Sequence, residues 1–159
     1  MALYRRLLLA VAGAKPFTWF AANVYAPLDG WVYRRSNGRF SLSHLGRRPA
    51  LQTLLLTTTG RKSGQPRSTP VLYLDHDGAL VVVGSNFGRD SHPSWTTNLI
   101  ANPDATALVQ DAPRQVRARL ATEDEKRALW PRLLEIYPPW QAYTGRTDRS
   151  FRAFFLEQR

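Results

Sequence analysis

The sequence predicts an α+β protein with a mainly β core: a small antiparallel β-barrel with peripheral and N-terminal helices. Three observations carry this. Short β-branched or aromatic runs recur from residue 51 to the C-terminus, separated by Gly, Asp, Asn and Pro clusters. Two helical patterns are inserted among them rather than alternating with every strand, which disfavours a parallel α/β sheet. The 159-residue length suits one domain with a core of its own, and 43% apolar residues with five tryptophans argue for a packed interior.

The N-terminal stretch, residues 1–28, reads as an amphipathic helical segment. Leu3, Leu7, Leu8 and Val11 follow helical spacing around Arg5 and Arg6, and Phe17, Trp19, Phe20, Val24 and Tyr25 continue the apolar pattern beyond Pro16. The run Leu7–Ala14 is too short for a bilayer, which needs about 20 apolar residues. Lys15-Pro16 and the bulky aromatics beyond it are a poor context for signal cleavage. An interfacial helix pair and a helix packed on its own domain both remain open for this segment. Residues 29–50, with Arg34-Arg35, Ser36-Asn37-Gly38 and Gly46-Arg47-Arg48-Pro49, read as a basic linker with little regular structure.

Residues 51–159 form the predicted barrel domain. Leu51–Thr59 and Arg67–Leu74 are the first two strands, and Asp75-His76-Asp77-Gly78 turns the chain into a third, Leu80–Val83. That strand runs into Gly84-Ser85-Asn86-Phe87-Gly88, a loop suited to bringing backbone N–H groups up to a ligand. Pro93 is expected at the first position of a helix capped by Ser91 or His92, with Trp95, Asn98 and Leu99 on one face and a stop at Asn102-Pro103-Asp104. Ala105–Gln110 and Arg114–Leu120 form a hairpin around Asp111-Ala112-Pro113, and Val116, Ala118 and Leu120 are expected on its buried face. Thr122-Glu123-Asp124-Glu125 is a capping box opening a helix that buries Leu129, Leu133, Ile136 and Tyr137. An aromatic stripe, Tyr137, Trp140 and Tyr143, and a last strand from Phe151 to Leu156 complete the chain.

Charge locates the most informative segment. The formal net charge is +10, and residues 1–74 hold eleven Lys/Arg against one acid, Asp29, whereas residues 75–159 hold eleven of each. The excess thus belongs to the N-terminal half and to the hairpin Thr57-Thr58-Thr59-Gly60-Arg61-Lys62-Ser63-Gly64-Gln65-Pro66-Arg67. A glycine-flanked turn with three cations suits a phosphate or another anion, although a merely solubilising tip reads the same way. It is not a nucleotide P-loop, because strand rather than helix follows Lys62-Ser63. With no cysteine and three scattered histidines, thiolate chemistry is excluded and no metal is expected. A nucleic-acid partner is not expected, since aromatics do not interleave with the cations.

The order of these motifs resembles the coenzyme F420 (deazaflavin)-dependent nitroreductase and quinone reductase family of the split β-barrel superfamily. The carrying residues are the cationic hairpin with Pro70 and Tyr73, then Val81-Val82-Val83-Gly84-Ser85-Asn86-Phe87-Gly88, then His92-Pro93-Ser94-Trp95 through Asn98-Leu99 to Asn102-Pro103, and finally Tyr137-Pro138, Tyr143 and Thr147-Asp148-Arg149. The resemblance implies an F420H2-dependent reductase passing a hydride to a quinone-like or nitroaromatic acceptor. It implies that Arg61, Lys62 and Arg67 hold the cofactor's phosphate and acidic tail, that Pro70, Tyr73, Ser85 and Asn86 border the ring, and that Trp95 and Asn98 close its far side. Tyr137, Trp140 and Tyr143 would line the acceptor side, and Tyr143, Tyr137, Ser85 or water would supply the proton, with Ser85 and Tyr143 the catalytic candidates. Asn86, Phe87 and Trp140 depart from a cation, a glycine and a tyrosine common in the family. An FMN reductase and a non-catalytic lipid or cofactor carrier are the alternatives on the same fold. A lipophilic acceptor would give residues 1–28 a role on an anionic membrane surface, which implies a cytoplasmic protein, peripheral on the inner face of the cell membrane.

Overall fold

The structure, a computed structural model, describes residues 52–159 together with Leu28, Trp31 and Arg35. Six antiparallel strands close into a barrel in the order β1-β2-β3-β6-β5-β4. They are β1 (Thr53–Thr59), β2 (Pro66–His76), β3 (Ala79–Gly84), β4 (Asp104–Val109), β5 (Ala112–Leu120) and β6 (Arg152–Gln158). Within residues 52–159 three α-helices accompany them: α1 (Ser94–Ala101), α2 (Glu123–Ile136) and α3 (Pro139–Thr144). The expected barrel with peripheral helices is therefore the observed fold.

Strand periodicity sorts the apolar side chains into two layers. Leu54 and Leu56 of β1, Val71 and Tyr73 of β2, Val82, Val116, Phe154 and Leu156 fill the barrel interior. Their sequence neighbours Leu72, Leu74, Val81, Val83, Ala153 and Phe155 face outward and pack under Leu129 and Leu133 of α2 and Trp140 and Tyr143 of α3. Helix α1 plugs one end of the barrel. Its buried residues are Trp95, Thr96, Asn98 and Leu99, and the Trp95 ring lies 5.9 Å from that of Phe154.

Several boundaries differ from the sequence reading for local reasons. Pro93 is the N-cap of α1, with extended backbone, so the helix begins one residue later at Ser94. The β4–β5 reversal sits at Gln110-Asp111, both with positive φ (47° and 66°), rather than around Asp111-Ala112-Pro113. This is the pair of left-handed residues that a two-residue hairpin needs. Pro113 lies inside β5 opposite Leu108, before the β6 pairing begins at Val116, so its missing N–H costs no second ladder bond. Leu120, expected on the buried face, is exposed at the end of its strand. Ile136 and Tyr137 are half-buried rather than core.

The capping box forms as expected: Glu125 N–H donates to Thr122 Oγ1 (3.2 Å) and Thr122 N–H to Glu125 Oε2 (2.8 Å). Among the N-terminal residues described, Leu28, Trp31 and Arg35 are helical and exposed, so two positions of the expected irregular linker are helical. The remaining residues of the expected 1–28 segment and of the 29–50 linker lie outside the described residues.

The end of β3 approaches α1 so closely that a side chain has no room. A Cβ on Gly84 would stand 2.5 Å from Thr96 Cγ2 and 3.4 Å from the Arg152 carbonyl. Gly84→Ala should lower stability by about 1–3 kcal/mol through this overpacking, read as a shift in the denaturant midpoint; a variant melting with the parent would mean that α1 is free to withdraw.

Candidate functional site

Antiparallel pairing brings the end of β1, the start of β2 and the end of β3 to the end of the barrel that α1 plugs. The β1–β2 turn is closed by its own backbone. Gly60 N–H donates to the Gln65 carbonyl (2.8 Å), and Gly64 N–H donates to the Gly60 carbonyl (2.7 Å). Gly64 takes φ +66°, a conformation that a side chain would strain. Asn98 ties this turn to the helix plug. Its Oδ1 accepts from Arg61 N–H (3.1 Å) and its Nδ2 donates to Thr58 Oγ1 (3.0 Å).

Arg61, Lys62 and Arg67 are all exposed on this turn, and none takes an ion pair among the described residues. Several acids are engaged elsewhere: Asp104 with Arg117 and Arg159, Glu125 and Glu157 with Arg119, Glu123 with Lys126. The turn is therefore an uncompensated cationic tip, and a polyanion is the ligand its chemistry fits. Beside it on the outer face of β1 and β2 stand Pro70 opposite Leu55, and the Thr57 and Ser68 hydroxyls, 2.8 Å apart.

The loop after β3 forms the neighbouring wall. Asn86 (φ 48°), Phe87 (φ 58°) and Gly88 (φ 74°) are consecutively left-handed. Each non-glycine residue in that region costs roughly 1–3 kcal/mol, and the surroundings must hold it there. Arg149 does so. It donates to the carbonyls of Gly84 (3.2 Å), Ser85 (2.8 Å) and Arg89 (3.0 and 3.1 Å), and to His92 Nδ1 (2.9 Å). Asn86 Nδ2 donates to the Ser91 carbonyl (2.9 Å), so this side chain braces the loop. The N–H groups of Gly88 and Arg89 return to the Ser85 and Asn86 carbonyls, while those of Asn86 and Phe87 take no acceptor among the described residues.

Behind the loop, Trp140 Nε1 donates to Ser85 Oγ (3.1 Å), and the Tyr137 and Tyr143 hydroxyls lie 2.9 Å apart. Burial raises the pKa of both phenols, and for Tyr143 the neighbouring Tyr137 adds to the rise. Both hydroxyls therefore stay protonated at neutral pH.

The expected site residues thus divide. Arg61, Lys62, Arg67, Pro70, Ser85 and Asn86 lie toward one end of the barrel, with Arg67 on the opposite face of β2 from Pro70. Tyr73 does not join Pro70: three positions along a strand put the two on opposite faces, and Tyr73 is buried in the barrel interior. Trp95 and Asn98 are likewise interior, so Trp95 is core and Asn98 positions the turn. Trp140 and Tyr143 are only 3% and 1% exposed, packed behind the loop rather than open on an acceptor, while Tyr137 is half-buried. Arg149, known from the sequence only as part of a motif, and His92, expected with Ser91 as a candidate helix cap but displaced from that role by Pro93, organise the loop. A separate recess of about 250 Å³, lined among others by His92, Lys126, Arg149 and Arg152, contains none of the expected site residues. Among the described residues no cluster could hold a metal ion.

A closed six-stranded antiparallel barrel with a cationic turn and a left-handed loop at its plugged end places the chain among the split-barrel proteins. Comparison with known proteins narrows the class. A sequence profile of the F420H(2)-dependent quinone reductases matches residues 28–158. A Mycobacterium tuberculosis protein named for that activity is 35% identical over 114 residues, which are 72% of this chain and 96% of the relative. A second F420H(2)-dependent quinone reductase of the same organism is 42% identical over 73 residues, 46% of this chain and 47% of its own length. A solved F420-H2 dependent reductase superposes with a TM-score of 0.62 at 34% identity, covering 67% of this chain and 94% of that one. The chain belongs to the F420H(2)-dependent quinone reductase family, and so to a class of coenzyme F420-dependent oxidoreductases.

The loop also has an acid-sensitive contact. Burial, with Arg152 and Arg149 nearby, lowers the His92 pKa below its ordinary value of 6.5, as its role as acceptor from Arg149 requires. The neutral ring's contribution is complete above pH 6.5 and is lost as pH falls through the lower folded-state value. Melting temperatures at pH 7.5 and 5.5 should fall more for the parent than for His92→Asn; equal slopes would remove His92 from the loop's support.

Proposed function

We propose that this chain reduces a quinone-type acceptor with F420H2, gripping the cofactor's phosphodiester and oligoglutamate arm with Arg61, Lys62 and Arg67. The observation that carries this reading is the uncompensated charge of the turn beside a loop with two unengaged N–H groups. When bound, the reduced deazaflavin supplies a hydride at C5. The protein's part is placement and electrostatics. Pro70 and the outer face of β1 and β2 would floor the ring, and the Ser85–Phe87 backbone would border its polar edge. Ser85 and Tyr137, the two half-buried hydroxyls, would meet the acceptor. A nitroaromatic is an acceptor of the same electron demand and fits the same reading.

Because the three cations are exposed, each is worth less than a desolvated contact. Single Arg61→Gln, Lys62→Gln and Arg67→Gln variants should each weaken F420 binding on the order of tenfold, with the triple variant losing it, measured by titrating the cofactor's fluorescence. Undiminished affinity in the triple variant would refute the reading.

We further propose a three-part organisation: residues 1–28 as a membrane-facing segment, 29–50 as a connector and 51–159 as the reductase barrel. Leu28 and Trp31, both helical and exposed at 50% and 57%, support the presence of solvent-facing apolar side chains here. Among the described residues no helix is long and apolar enough to cross a membrane. Contact would be peripheral, on an anionic cytoplasmic leaflet from which a lipophilic quinone reaches the site. Deleting residues 1–25 should abolish co-sedimentation with anionic vesicles and spare F420 affinity; vesicle binding that survives the deletion removes the membrane role.

A further inference from the structure

We propose that Trp140 is a positioning residue that fixes the Ser85 hydroxyl as a hydrogen-bond donor toward a ligand carbonyl oxygen. The argument rests on the direction of one bond. Indole Nε1–H has no acceptor capacity, so in the 3.1 Å contact the Ser85 oxygen must accept. The single hydrogen of Ser85 is thereby turned away from Trp140, and no acceptor for it exists among the described residues.

Both partners are immobilised. The Ser85 carbonyl is held by Arg149 Nη2 at 2.8 Å, so the backbone cannot turn to offer another rotamer cheaply. Trp140 is 3% exposed, with Trp130 nearly parallel at 6.5 Å and the Tyr137 ring edge-on at 5.5 Å. Ser85 itself is half-buried at the head of the left-handed loop, where the Asn86 and Phe87 N–H groups are also unengaged. Three donors on consecutive residues of one loop are thus left without an acceptor among the described residues, and a ligand carbonyl oxygen would supply one to Ser85. This extends the reductase reading above: the oxygen is that of the quinone or that of the deazaflavin ring. Trp140 then acts through Ser85, without touching the acceptor.

The test combines kinetics with a direct measurement of the bond. Trp140→Phe removes the N–H and keeps an aromatic ring, and Ser85→Ala removes the hydroxyl. In the parent background Trp140→Phe should cost about three- to tenfold, and in the Ser85→Ala background less than twofold. A loss in kcat at unchanged F420 affinity assigns the carbonyl to the quinone; a loss in F420 affinity assigns it to the deazaflavin. Equal losses in both backgrounds, or none in either, would overturn the proposal, because Trp140 would then act by packing alone or not at all.

Should Trp140→Phe fail to fold, hydrogen exchange of the Trp140 indole N–H, followed by NMR in parent and Ser85→Ala proteins, decides the matter. Exchange at least tenfold faster in Ser85→Ala supports the bond, and unchanged exchange refutes it. This readout needs no cofactor, so a parent that fails to bind F420 would sink the reductase reading while the Ser85–Trp140 result still stood.

Discussion

The site depends on one guanidinium. The turn after β3 points three backbone carbonyls, of Gly84, Ser85 and Arg89, toward the same volume, and Arg149 fills that volume with donors at 2.8–3.2 Å. Without a cation there, the carbonyl dipoles would repel one another and two non-glycine residues would leave the left-handed region. Arginine alone among the side chains offers five donors in a rigid plane, and it is spent here on the backbone rather than on an acid. The loop's shape, and with it the orientation of Ser85 and its neighbouring N–H groups, follows from that choice.

Charge is used in two opposite ways within one small barrel. Around α2 and along β4, β5 and β6, cations and acids neutralise each other on the surface, in pairs such as Arg119 with Glu125 and Glu157. These exposed pairs stabilise little individually. On the β1–β2 turn the acids are missing, and the cations are left for a ligand. Within the described barrel, charge is thus divided in space, with the unpaired cations gathered at the β1–β2 turn.

The barrel was legible because strand alternation, glycine turns and the Thr122 capping box are local signals, each written within a few residues. The cationic turn was legible for the same reason. Tyr73 beside Pro70 was a misreading that period-two alternation already contradicts, since an odd separation puts two strand residues on opposite faces. Trp95 and Asn98 sit at helical spacing on an apolar face, the ordinary pattern of a plug, and the structure uses them so. Arg149 could not be found this way: its partners are backbone carbonyls about sixty residues away in the chain, which leave no side-chain signature. The Ser85–Trp140 contact spans 55 positions and was equally invisible. The β4–β5 turn was misplaced because Gln110, an unusual residue for positive φ, occupies a position where Asn or Gly would have announced it.

The unequal strand lengths have an outcome of their own. Strand β2 runs for eleven residues, but β3 pairs with it only from Tyr73 onward, so Pro66–Leu72 form the open margin of a ribbon with β1, which is itself paired to β4 over Leu55–Thr58. Along such a ribbon the side of presentation inverts with every added residue. Inserting or removing one residue there would turn the charges beyond it to the opposite side, whereas a matched pair of residues would keep their aim.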